Sequence, residues 1–183
     1  MSKLIPPVGE HDHIQGNNKA LVTLVEYGDY ECPYCGHAYP IIKMLKQLEK
    51  DKIKFVYRHF PLSQIHPHAQ QAAFAAESAS QQGKFWDMHD ILFENQHALE
   101  DRDLLAYAEE LHLDLEQFFK DMDSQEVTQK VRGDFMSGIR SGVNGTPTFF
   151  INGVRYDGSY ELEYLQAAIE IASDNTHRKG MFL

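Results

Sequence analysis

The sequence has little of what several protein classes require. Only two of its 183 residues are cysteine, which excludes a small scaffold held together by several disulfides. No apolar run approaches the ~20 residues that a membrane-spanning helix needs, so we expect no membrane span. Lysine and arginine number 17 against 27 acidic residues, for a net charge of −10 with neutral histidine. That balance argues against a basic surface, and we expect no nucleic-acid partner.

The first twenty residues do not have the pattern of a secretory signal. Such a signal has a basic start followed by an apolar run of about 7–15 residues. Pro6 and Pro7, followed by Glu10, His11 and Asp12, interrupt any such run. The segment therefore predicts a cytoplasmic protein, and a chain from which an export leader was removed is the alternative.

The order of the predicted elements indicates an α/β fold. Short runs rich in apolar and β-branched residues predict four strands, at 20–27, 52–60, 148–151 and 154–156. Asn152 and Gly153 join the last two strands by a hairpin signal. Helical spacing of apolar residues predicts a helix at 38–50 and a closing helix at 161–172. The tail from Asn175 is expected to be loose.

Between the second and third strands the sequence is helical in character. Helix-forming composition and apolar stripes cover 69–81, 85–93, 104–111, 115–122 and 127–139. A strand–helix–strand opening with a hairpin–helix close is a thioredoxin-type plan, and the helical block is then an insertion. We predict a first thioredoxin part at 1–64, an inserted helical domain at 65–141 and a second thioredoxin part at 142–183.

The two cysteines, Cys32 and Cys35, lie three positions apart between a predicted strand and a predicted helix. At a helix N-terminus, unpaired N–H groups and the helix dipole stabilise a thiolate, so the pKa of Cys32 is expected below that of a free cysteine. We expect Cys32 to be the exposed nucleophile and Cys35 the shielded resolving thiol. Pro33 suits the first helical turn. Half a zinc site is the alternative, but no second CxxC completes it, and we expect no metal.

Negative charge flanks the cysteines. Asp29 and Glu31 precede Cys32, and carboxylates near a thiolate oppose its formation. Tyr34, between the cysteines, adds no positive charge. We therefore expect a moderate lowering of the pKa of Cys32.

Glu26, Thr146 and Pro147 are further candidates. Glu26 interrupts an apolar strand; it is either an edge-facing carboxylate in solvent or a half-buried one that takes a proton from Cys35. Pro147 reads on its own as an ordinary strand-start proline. In the thioredoxin plan it is instead a cis-proline facing the active-site sulfur, and Thr146 presents backbone groups to an extended substrate.

Five motifs occur in order along nearly the whole chain: DHIQG (12–16), VEYGDYECPYCG (25–36), FVYRHFPL (55–62), QGKFWDMHD (82–90) and GTPTFFING (145–153). In this ordered set the chain resembles DsbA-like thioredoxin-fold proteins, closest to a branch of short bacterial members. The resemblance implies thiol–disulfide exchange with protein substrates and no bound cofactor. It also implies Cys32 as nucleophile, Cys35 as resolver, a cis Pro147, and Glu26 at the family's buried carboxylate position.

Two features depart from the periplasmic members of that family: the missing export signal and the Pro-Tyr dipeptide between the cysteines. The CPYC sequence also occurs in glutaredoxins, so a glutathione-linked disulfide reductase is an alternative. A second alternative function is a redox-inactive thioredoxin-like binding or chaperone module. Thiol–disulfide exchange with protein substrates needs a recycling partner that restores the cysteine pair after each turnover. This partner is of thioredoxin type, glutathione or another. Exchange with protein substrates makes Pro33, Tyr34, Thr146 and Pro147 the substrate-binding residues.

Overall fold

The computed structural model describes residues 2–180. The strands and helices occur in this order: β1 (His13–Gly16), β2 (Val22–Gly28), α1 (Pro33–Leu48), β3 (Ile53–His59), α2 (Ala69–Gln81), α3 (Phe85–Glu94), α4 (Asp101–Glu110), α5 (Leu115–Met122), α6 (Gln125–Arg140), β4 (Thr148–Ile151), β5 (Val154–Tyr156) and α7 (Leu162–Gly180). The predicted α/β class is confirmed. Among the helices of this described part, none is long and apolar enough to cross a membrane.

The strands form one sheet in the order β1-β3-β2-β4-β5. The strands β2 and β3 are buried along nearly their whole length, as expected for strands covered on both faces. Strand β4 runs antiparallel to β2, with Thr148 opposite Tyr27 and Ile151 opposite Leu24. The start of β4 therefore lies beside the end of β2.

The predicted hairpin between β4 and β5 is confirmed. Ile151 pairs with Val154, so only Asn152 and Gly153 form the loop. Both have positive φ, at 48° and 79°, as a type I′ turn requires. The side chain of Asn152 also accepts a hydrogen bond from the backbone N–H of Thr23, at 2.8 Å, which ties the turn to the sheet.

The structure corrects the sequence analysis at three places. Strand β1, which pairs with β3, was not predicted because it has only four residues and no apolar alternation. Helix α1 begins at Pro33, well before the predicted residue 38. The prediction of a loose tail from Asn175 is wrong as far as Gly180, because α7 continues to that residue. Residues 181–183 lie outside the described residues.

The chain divides into two compact units. The sheet unit comprises the described residues of Met1–Tyr27, His37–Arg58 and Ser137–Leu183, and the helical unit comprises Gly28–Gly36 and His59–Met136. Within the helical unit, α2 and α6 share an apolar cluster that includes Phe74 and Val131. The domain boundaries expected from the sequence stay a prediction.

A buried ion pair fixes the N-terminal segment within the sheet unit. The Arg58 guanidinium donates from Nε to Asp12 Oδ1 at 2.7 Å and from Nη2 to Oδ2 at 2.9 Å. It also donates to the carbonyl of Pro6 and to the hydroxyl of Tyr27. Burial alone would lower the pKa of Arg58, but these hydrogen bonds with Asp12 and Tyr27 raise it. The charge is therefore permanent at any working pH.

Candidate active site at the N-terminal end of helix α1

Cys32 is the residue that caps helix α1. After β2 ends, the backbone turns so that the N–H of Cys32 donates to the carbonyl of Asp29, at 3.2 Å. The Asp29 side chain supports this turn by accepting from the N–H of Glu31, at 2.8 Å. The carbonyl of Cys32 then accepts from the N–H of Gly36, at 3.0 Å, and this bond begins the helix. Cys32 thus lies beside the unpaired N–H groups of the first helical turn.

The two cysteines approach each other to 3.9 Å and are not joined by a disulfide. Cys32 is 3% exposed and Cys35 is 0% exposed. The expected order of exposure is correct, but Cys32 is buried rather than exposed. The two residues are therefore close neighbours at the start of α1.

The first turn of α1 suits a negatively charged sulfur. It contains no acidic side chain. Pro33 occupies the first helical position, where its missing N–H removes no helical hydrogen bond. Pro33 and Tyr34 are both exposed, Tyr34 to 68%, so the dipeptide between the cysteines faces solvent.

The carboxylates of Asp29 and Glu31 have partners that the sequence analysis missed. Asp29 Oδ2 accepts from the N–H of Leu62 at 2.9 Å and lies 2.8 Å from Nδ1 of His66. Glu31 Oε1 lies 2.8 Å from Nδ1 of His68, and Oε2 accepts from the N–H of that residue at 2.6 Å. No local sequence pattern indicates these contacts, because each histidine lies 37 positions after its partner.

Gln96 is a second residue that the sequence analysis missed. Its side-chain amide donates to the carbonyls of Tyr30 and Cys32, at 2.8 and 2.9 Å. Its Oε1 occupies the place that a Cβ at Gly36 would take. Gln96 therefore clamps the turn and the start of α1 from a loop more than sixty residues away, and no local pattern indicates it.

Glu26, Thr146 and Pro147 belong to the sheet unit. Glu26 is 3% exposed, so the alternative of a solvent-facing edge carboxylate is wrong. Thr146 and Pro147 are partly exposed, and the peptide bond between them is cis. They directly precede β4, whose first residue, Thr148, pairs with Tyr27 near the carboxyl end of β2.

The aromatic residues of α3 form part of the core of the helical unit. Phe85 and Phe93 are buried, and His89 is 2% exposed with Nδ1 at 3.1 Å from the hydroxyl of Tyr30. Phe93 packs on the Tyr30 ring, at a centroid distance of 4.8 Å. These residues therefore support the turn before Cys32 from within the helical unit.

The chain belongs to the thioredoxin family, because the family model described as Thioredoxin matches residues 9–171. A thioredoxin-like oxidoreductase from Silicibacter pomeroyi is similar in structure, with a TM-score of 0.82 and 32% identity over 91% of this chain and 94% of that one. The α-DsbA1 protein of Wolbachia pipientis has a TM-score of 0.80 at 21% identity, covering 96% and 97% of the two chains. The resemblance of the fold to that of DsbA-like proteins is confirmed.

Curated relatives carry a different name. A Na(+)/H(+) antiporter NhaA 1 of Salinispora arenicola is 46% identical over 173 residues, which are 94% of this chain and 26% of that protein. The chain thus spans about a quarter of the length of such relatives.

Proposed function

We propose that the chain is a thiol–disulfide oxidoreductase that exchanges disulfides with protein substrates through Cys32 and Cys35. The observation that carries the proposal is the pair of thiols 3.9 Å apart at the N-terminal end of α1. The membership of the thioredoxin family and the 32% identical oxidoreductase structure support it. The antiporter names of the curated relatives do not enter the proposal, because the chain spans about a quarter of those proteins.

In the reducing direction, the Cys32 thiolate attacks one sulfur of a substrate disulfide. A Cys32–substrate bond forms, and the other substrate sulfur leaves as a thiolate that takes up a proton. The Cys35 thiolate then attacks Cys32 Sγ and releases the second substrate thiol. Two electrons pass to the substrate, and a Cys32–Cys35 disulfide remains. The same steps in reverse oxidise a substrate dithiol.

The proposal gives Glu26 the role of proton acceptor for Cys35. Its carboxyl group is buried in β2, and burial makes the carboxylate a stronger base, which suits acceptance of a proton from the Cys35 thiol. Exchange rates of Glu26→Gln measured across pH 5–9 test this role. Unchanged rates at every pH would remove Glu26 from the mechanism.

Four residues are proposed to bind the substrate chain. Pro33 and Tyr34 face solvent beside the cysteines. The partly exposed Thr146 offers backbone groups to an extended peptide, next to Pro147. After each turnover a recycling partner, of thioredoxin type, glutathione or another, restores the starting state.

Trapping of a mixed disulfide tests the function most simply. Cys35→Ser is expected to accumulate a covalent complex with a disulfide-bonded protein such as insulin, because the second step is blocked. Cys32→Ser is the matched control, with the same substitution at the other cysteine, and it is expected to form no covalent complex. Absence of the complex with Cys35→Ser would contradict the proposal. Full turnover of a glutathione mixed disulfide by Cys35→Ser would instead favour the glutaredoxin-type reaction, and holdase activity that survives in Cys32→Ser would favour the binding module.

A further inference from the structure

Two acidic residues directly before a helix N-terminus normally compete with anything else that binds there. Asp and Glu side chains accept hydrogen bonds from the first-turn N–H groups and are stabilised by the helix dipole. Asp29 and Glu31 precede Pro33, the first residue of α1, by four and two positions. A carboxylate on those N–H groups would displace a thiolate and also repel it.

Asp29 is instead held by the segment 62–68. Its side chain is fully buried, and it accepts from the backbone N–H groups of Glu31 and Leu62. The Nδ1 of His66, whose side chain is 15% exposed, completes the set at 2.8 Å. Because an ionised carboxylate only accepts, this contact places a proton on Nδ1 of His66.

Glu31 is held by the same segment through His68. Both carboxylate oxygens of Glu31 are used by this one residue, through its backbone N–H and its ring. The hydrogen bond to Glu31 raises the pKa of His68, and the more distant carboxylates of Glu100 and Asp101, at the start of α4, raise it further. His68 thus faces negative groups from both the turn and α4.

We propose that His66 and His68 are positioning residues for the Cys32 thiolate: they hold the carboxylates of Asp29 and Glu31 on the segment 62–68, so that the N–H groups at the N-terminal end of α1 remain available to the sulfur. The inference rests on the proposed function and deepens it. His68 acts through Glu31, and His66 acts through Asp29. Neither histidine needs to touch the substrate.

The alkylation of Cys32 by iodoacetamide, followed by mass spectrometry as a function of pH, measures this effect. The rate at pH 6 divided by the plateau rate at high pH reports the thiolate fraction and cancels differences in access. We expect His68→Ala to lower this ratio about threefold, because Glu31 is then released and uncompensated. His68→Asn keeps a donor near the position of Nδ1 but not the charge, so it is expected to lower the ratio less.

A double-mutant cycle shows whether His68 acts through Glu31. In the Glu31→Gln background no carboxylate has to be held, and we expect the effect of His68→Ala to shrink toward unity. An equal effect in both backgrounds would overturn the inference, as would an unchanged ratio in a folded His68→Ala protein. If His68→Ala does not fold, His68→Asn replaces it in the same cycle.

The control is His112→Asn, the same chemical change at an exposed histidine of the helical unit. His112 has a positive φ that asparagine tolerates, and the ratio is expected to stay at the wild-type value. A wild-type Cys32 that alkylates with the pH profile of a free cysteine would contradict the proposed function itself. If wild-type Cys32 is reactive but the His68 variants have the wild-type alkylation ratio, only the role of the histidines is overturned.

Discussion

The two compact units of this protein hold buried charge by different means. The sheet unit uses an arginine, Arg58, which grips Asp12 with two donors and keeps its charge at any working pH. The helical unit uses histidines at the turn before Cys32, where His66 and His68 pair with Asp29 and Glu31. A neutral amide, Gln96, completes that turn. The ion pair of the sheet unit therefore does not depend on pH. The charge at the turn does depend on pH, because His68, whose pKa is raised by Glu31, is a titratable group.

The largest expected effect on stability comes from a substitution that breaks the ion pair of the sheet unit. Asp12→Asn leaves the Arg58 guanidinium buried and uncompensated, since the two side chains are 8% and 3% exposed. We expect a loss of about 3–5 kcal/mol in the free energy of unfolding, measured by urea denaturation at pH 7. The alkylation ratio of Cys32 should stay unchanged, because the pair belongs to the sheet unit.

The matched control is Asp87→Asn, which removes the exposed Lys84–Asp87 pair. Exposed pairs contribute about 0–1 kcal/mol, so little change is expected. Equal losses of unfolding free energy in Asp12→Asn and Asp87→Asn would contradict the difference drawn between the two units. A changed pH profile of Cys32 alkylation in Asp12→Asn would contradict it as well.

A smaller effect is expected at the packed amide of the helical unit. In Gly36→Ala the new Cβ collides with Gln96 Oε1, so the clamp on the turn must move. We expect a loss of about 1–3 kcal/mol in the free energy of unfolding, together with a changed Cys32 alkylation profile. When Gln96→Ala is combined with Gly36→Ala, the new Cβ no longer meets Gln96 Oε1, and we expect Gly36→Ala to cost less stability in this background.

Gly133→Ala in α6 is the control for this substitution. Nothing lies within 4 Å of a Cβ at Gly133, and alanine is the better helix former, so a gain of about 0.5–1 kcal/mol is expected. If Gly36→Ala were as stable as Gly133→Ala, Gln96 would not be packed as described.

The smallest effect concerns the pH dependence of His68. The folded-state pKa of His68 is raised by Glu31, so its contribution to stability is fully present below the ordinary histidine pKa and is lost as the pH rises through the raised value. Wild type should therefore melt higher than His68→Ala at pH 5.5, and the difference should vanish by pH 9. A difference that persists at pH 9 would mean that His68 stabilises the fold by packing rather than by charge.

Much of the fold follows from local patterns. The hairpin at Asn152–Gly153 and the helices between 69 and 140 are encoded by turn chemistry and by the spacing of apolar residues, which neighbouring residues determine. Strand β1 was missed because its pairing with β3 depends on residues about forty positions away.

The candidate site was only partly predictable for the same reason. The capping position of Cys32 follows from a strand that ends just before a helix. Gln96 and the two histidines contact the turn across 37 to 66 positions, so no local pattern could assign them. From the sequence alone, Asp29 and Glu31 are therefore uncompensated charges. Their pairing is the main change that the structure brings to the chemistry of Cys32.

The most direct test of the account is the redox equilibrium of Cys32 with Cys35 in glutathione and dithiothreitol buffers of defined potential. We expect one reversible two-electron couple between about −120 and −270 mV, the range of thioredoxin-fold oxidoreductases. A value near the upper end would indicate an oxidant or isomerase, and a value near the lower end a reductase. The absence of any reversible two-electron couple would contradict the proposed function.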